Sequence, residues 1–119
     1  SIPLPFSNRN QGNIASAEAN LRAATAREAV ALADYELAVA RARAAYLAAE
    51  ARVETLSTTS LPQAEEALRL VQIGYSNGRF PLIEVLAAAD ARDAIREALI
   101  AAQQDRGQAA AELIRLAAQ

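Results

Sequence analysis

The chain has 119 residues, enough for one domain at most, with 12 basic residues against 14 acidic and a net charge of −2. All the basic residues are arginines and none form a stripe, which argues against nucleic acid as a partner. With no cysteine and no histidine there are no disulfides or zinc–thiolate sites, and the commonest general base and metal ligand are missing. Hydrophobic residues make up 53% but aromatics only 4%, so the apolar surface is mainly alanine and a core built from this chain alone would be thin. Alanine, leucine, arginine, glutamate and glutamine favour helix, and the chain reads as all-α. No apolar run approaches the roughly 20 residues of a membrane span. No signal peptide and no starting methionine are seen, so a fragment or a processed chain is expected and the absent targeting says little about location.

Residues 1–11 read as an extended lead-in. Pro3 and Pro5 push their predecessors toward extended geometry, and the stretch ends in a turn-rich Ser7–Asn13 where Asn10 or Asn13 could cap a helix. A disordered end is the alternative.

A long first helix is expected over 12–76. Ile14, Leu21, Tyr35 and Leu56 share one seven-residue register, with Glu28, Ala42 and Ala49 at its other turns. Ala17, Ala24, Ala31, Ala38 and Ala45 form the paired register, and Leu32, Val39, Tyr46 and Val53 a second stripe beside it. Alanine at a seam permits close helix approach, and two stripes suit a helix with neighbours on both sides. Ser57–Pro62 interrupts the pattern and predicts a kink or break near 57–62. The stripe resumes displaced, as Leu61, Ala64, Leu68, Val71 and Tyr75, which implies a local change of winding.

Gly74, Asn77 and Gly78 ahead of Pro81 mark the stop and reversal, with the tip turn at 77–79. A second helix is expected over 80–117. Val85, Ala88, Arg92, Ile95, Leu99, Ala102, Arg106, Ala109, Leu113 and Leu116 alternate by three and four, a coiled-coil spacing. The first arm, about 90–100 Å at 1.5 Å per residue, exceeds the second, so an antiparallel pair would leave its N-terminal part needing a partner outside this chain.

No catalytic, metal-binding or cofactor-binding constellation emerges, so an enzyme is not expected. Glu65 and Glu66 diverge on a helix, and Asp90, Asp93 and Glu97 are interleaved with Arg92 and Arg96 as on an ordinary solvated surface. Gly74-x-x-x-Gly78 has the spacing of a helix contact but here closes a turn. Arg79 and Phe80 at the tip suggest partner contact; alternatively Phe80 packs back on Ile73 or Leu82. Glu84 either faces water or, in symmetric copies, forms an acidic ring in a pore.

Three ordered motifs carry a resemblance: the lead-in SIPLPFSNRNQGNI, then LPQAEEALR from Leu61, then GYSNGRFPLIEVL from Gly74. Together they resemble the outer membrane efflux protein family, the TolC-like family of Gram-negative bacteria, and most of all its heavy-metal (CzcC/CusC-type) branch. The resemblance implies a trimeric β-barrel in the outer membrane continued by a periplasmic α-barrel, exporting metal ions or drugs with an inner-membrane pump and a periplasmic adaptor. This chain would be the helical hairpin of the second repeat, with residues 1–6 ending a barrel strand. By the same resemblance Asn77, Gly78, Arg79 and Phe80 would form the adaptor-contacting tip, and Tyr75 and Glu84 would line the aperture. The family's second acidic ring falls on Ala87, and its basic tip residue on Phe80 with Arg79 adjacent, leaving Glu84 as the single ring candidate. The alternatives are an adaptor coiled-coil hairpin, whose Arg-Leu-Ser-like tip is missing here, and a generic self-associating coiled coil.

Overall fold

The computed structural model describes residues 3–119, with side chains from residue 9 onward. Helix α1 spans Pro3–Thr55, a π-helical turn spans Leu56–Ser60, α2 spans Leu61–Ser76 and α3 spans Leu82–Ala117. There is no strand among the described residues, and the all-α hairpin expected from the sequence is the architecture observed.

The lead-in differs from expectation. Residues 3–11 are helical, and α1 runs through Asn10 and Asn13 without using either as a cap. Pro3 and Pro5 fall in the first turn, where amide hydrogens have no intrahelical acceptor, so a missing N–H costs the helix nothing. Ser1 and Ile2 lie outside the described residues.

The chain divides into two units, Ser1–Ala38 and Val39–Gln119. In the first, every described side chain from residue 9 to 37 except Ala23 is exposed, including Ile14, Leu21, Val30 and Leu32. A single helix has no second surface against which to bury its apolar residues, so within this unit they stay open to solvent.

The second unit is the hairpin. Three ion pairs tie its arms: Glu50 with Arg106 at 3.5 Å, Arg52 with Asp105 at 3.8 Å and Glu65 with Arg96 at 3.4 Å. Partner numbers fall on α3 as they rise on the first arm, so the arms run antiparallel. All ten α3 residues picked out by three-four spacing, Val85 to Leu116, lie on the shielded face, and Ala102 is 0% exposed. Opposite them the first arm presents Val39, Ala42, Tyr46, Ala49, Val53 and Leu56, then Ala64, Leu68 and Val71. Ala45, expected in a seam, is exposed instead. Buried Ala42, Ala49, Ala102 and Ala109 contribute little area each, and of the buried residues Val53, Leu68 and Leu116 contribute most, about 1.5–3 kcal/mol apiece at most.

Two arginines sit within this seam. Arg106 reaches both Glu50 carboxylate oxygens at 3.5 Å from a half-buried position. Arg92, read from sequence as part of a solvated surface as well as of the seam, has a side chain only 26% exposed and donates to Asp93 Oδ1. Long aliphatic stems let such residues cover apolar neighbours while their heads reach an acid at the edge.

The interruption at 57–62 is a π-helical turn. Backbone angles stay helical at Thr55, Ser60 and Leu61, and the Leu61 amide donates to the Leu56 carbonyl five residues back. A π-turn holds one more residue than an α-turn, and the seam shows where that residue goes. Up to Leu56 the seam positions step by three and four in alternation; beyond it Ser60 and Leu61 are both partly shielded, and from Ser60 the seam steps by four to Ala64 and by four again to Leu68. The additional residue keeps Leu68 and Val71 on the face that meets α3. Pro62, which has no amide to donate, falls in the first turn of α2 just after the π-turn. Ser57 Oγ and Thr58 Oγ1 both donate to the Glu54 carbonyl, at 3.3 and 2.6 Å, satisfying an acceptor where the ladder changes register.

Candidate functional site

The closed end of the hairpin is built by the chemistry of a helix stop. The Gly78 amide donates to the Tyr75 carbonyl at 3.0 Å and the Arg79 amide to the Gly74 carbonyl at 2.7 Å. This is the Schellman pattern, which requires a left-handed residue after the cap. Gly78 supplies it, with φ of 74°. Asn77 is the cap residue and donates to the Ile73 carbonyl at 3.0 Å, while Ser76 Oγ donates to the same carbonyl at 2.8 Å.

Phe80 folds back over the turn. Its amide also points to the Gly74 carbonyl, at 3.4 Å, and its ring lies against the Gly74 Cα so closely that a Cβ there would overlap Cδ2 and Cε2. Gly74 is buried as a result, while the outer face of the ring leaves Phe80 45% exposed. Phe80 thus packs back on its own turn, with Gly74 as a surface that it meets, and keeps an exposed side. Tyr75, expected on the resumed stripe, is exposed because Gly74 occupies the shielded position.

Helix α3 begins at Leu82, two residues later than expected, because Phe80 is held back on Gly74. Pro81 is its N-cap, in extended geometry at φ −73° and ψ 161°, and its carbonyl accepts the Glu84 amide at 3.1 Å. Glu84 is the acidic residue of the first turn, where the exposed amides of a helix start favour negative charge.

Between Arg69 and Asp90 the only charges are Arg79 and Glu84. Both are exposed, and neither forms an ion pair among the described residues. Around them Ile73, Tyr75, Leu82, Ile83 and Leu86 are exposed apolar side chains. The fold thus brings Asn77, Gly78, Arg79 and Phe80 into one turn, with Tyr75 and Glu84 on the flanking helical turns. An exposed apolar end with two isolated charges is suited to protein contact and offers no convergent groups for catalysis. No group of three or more acidic side chains among the described residues is placed to hold a metal ion. No helix of the described residues is long and apolar enough to cross a membrane. Sequence reasoning missed Gly74 as the seat of the Phe80 ring; its one signal was a glycine four residues ahead of the turn glycine, inside a helical pattern.

The family model described as outer membrane efflux protein matches residues 1–119. The chain is also similar to the cobalt-zinc-cadmium resistance protein CzcC of Cupriavidus metallidurans, at 34% identity over 96 residues. That match covers 73% of this chain and 21% of the relative, so the chain spans only about a fifth of that protein's length. No solved structure matches the chain.

Proposed function

Because the chain belongs to the outer membrane efflux protein family, we propose that it is the periplasm-facing helical hairpin of an efflux duct in the outer membrane. The parent protein is read as a homotrimer that works with a periplasmic adaptor and an inner-membrane pump. It is a passive conduit with no catalytic step. The likeness to CzcC favours metal ions as cargo over drugs, with substrate choice made at the pump. Within this reading the turn at Asn77, Gly78, Arg79 and Phe80 meets the adaptor, and Tyr75 and Glu84 line the aperture, where symmetric copies of Glu84 would form an acidic ring.

The observation that carries the reading is the family match over the full chain, joined to a hairpin end whose apolar surface holds Arg79 and Glu84 alone. The family match favours a duct over the adaptor-hairpin and generic coiled-coil alternatives.

Charge reversal tests the roles. Arg79→Glu and Glu84→Lys in the full-length protein should each lower metal or drug resistance while outer-membrane abundance stays at the wild-type level. Unchanged resistance in both variants would remove Arg79 and Glu84 from the mechanism.

A further inference from the structure

We infer that Gly74 and Phe80 form an interlock that sets the conformation of the turn, making Phe80 a positioning residue for Arg79. Two observations converge on the Gly74 backbone. Its carbonyl accepts the amides of both Arg79 and Phe80, and its bare Cα is the floor on which the Phe80 ring rests. The ring and the hydrogen bonds therefore hold the same two residues, Arg79 and Phe80, against Gly74 at the end of α2. With the ring removed, Phe80 loses its side-chain contact with Gly74, and the turn that carries the Arg79 and Phe80 amides should open more often.

The glycine at 74 is needed for the ring alone. Gly74 is within α2 and has no left-handed backbone; among the described residues Gly78 is the only glycine in that region. Alanine is ordinarily the better helix former, so Gly74→Ala should strengthen α2 unless something occupies the methyl's place. Here the Phe80 ring occupies it. The sign of the Gly74→Ala effect thus isolates the interlock from every backbone explanation. Gly107, also helical but with nothing within 4 Å of an added Cβ, is the control.

The functional consequence rests on the reading of the turn as a docking end. Phe80 spends one ring face on Gly74 and leaves Arg79 as the projecting charge. Phe80 then acts on docking mainly by fixing where Arg79 is presented.

The test uses the intact outer-membrane protein with Gly74→Ala, Phe80→Ala, the double variant and Gly107→Ala. Hydrogen exchange over the peptide spanning residues 74–82 is measured alongside export. Gly74→Ala and Phe80→Ala should each speed exchange at residues 79 and 80 by about tenfold, the scale of an overpacked or vacated contact. The double variant should exchange no faster than Phe80→Ala, because the added methyl enters the space the ring has left, and Gly107→Ala should leave the peptide unchanged. Wild-type exchange in Gly74→Ala, or a double variant showing the product of both single effects, overturns the interlock whatever happens to export. Faster exchange in Gly74→Ala with export intact supports the interlock and counts against the docking role of the turn.

Discussion

The amide of Leu61 donates to the carbonyl of Leu56, five residues back where an α-helix would place the acceptor four back. This bond is the local sign of one additional residue in the first arm. The residue itself, more than Pro62, is what the π-turn answers. Pro62→Ala should therefore leave the π-turn in place. Deleting Thr59 together with Pro62→Ala should restore a plain α-helix with Leu68 still shielded, and the thermal midpoint should move little. Deleting Thr59 alone should cost about 3 kcal/mol, since Pro62 would then lie in an α-helix interior. Inserting one alanine after Thr59 should turn Leu68 and Val71 away from α3 and cost about 2–5 kcal/mol, comparable to a large core truncation. Denaturation and backbone chemical shifts across 54–64 check all four.

Two glycines should respond in opposite directions. Gly78→Ala places a Cβ on a backbone held at φ of 74° and should destabilise the protein by about 1–2 kcal/mol. Gly107→Ala meets open space within a regular helix and should stabilise it by up to about 1 kcal/mol. Thermal melts of the two variants give the signs, and a stabilising Gly78→Ala would contradict the Schellman geometry of the turn.

Acid should loosen the helices locally at two places. Hydrogen bonding from Arg69 holds the Glu66 carboxyl below its ordinary value, and Arg115 does the same for Glu112. A carboxylate depressed in the folded state stabilises it above the unfolded-state value and loses that contribution as pH falls through the folded one. Stability should thus drop on the acid side of the ordinary carboxylate range. Both pairs are exposed, so the effect should be small and should shrink in high salt. Glu66→Gln/Glu112→Gln should flatten the acid limb of the midpoint-versus-pH curve; an unchanged limb would show that neither pair matters to stability.

Much of the hairpin could be read from spacing. The α3 seam is a simple three-four alternation, and Ala102, Ala109 and Leu116 along it are its buried residues. The stop at Asn77 and Gly78 was legible because a left-handed residue after a helix is a local requirement that few side chains meet. What escaped depends on contacts or register. Proline and serine-threonine chemistry flagged residues 57–62, but whether a helix kinks, breaks or widens there depends on where the downstream face must point, which is set by α3. Helix α3 starts two residues later than spacing predicts, with Phe80 drawn back to Gly74, a through-space contact. Spacing puts Tyr75 on the stripe, yet the shielded position belongs to Gly74, since only a residue without a side chain leaves room for the ring. Arg92 looked solvated by its neighbours in sequence and is shielded by its neighbours in space. Partner contact at Arg79 and a pore ring at Glu84 are alternatives the residues themselves offer, the adaptor and the efflux aperture come from resemblance, and the structure adds that both charges are exposed at one end.

The most direct measurement is site-specific photo-cross-linking in cells, with the probe at position 79 of the full-length protein and a control probe at position 107. The account predicts an adduct from position 79, identified by mass spectrometry as the periplasmic adaptor of the same export system, and none from position 107. Equal labelling from the two positions, or no adaptor adduct from position 79 in cells that export normally, would contradict it.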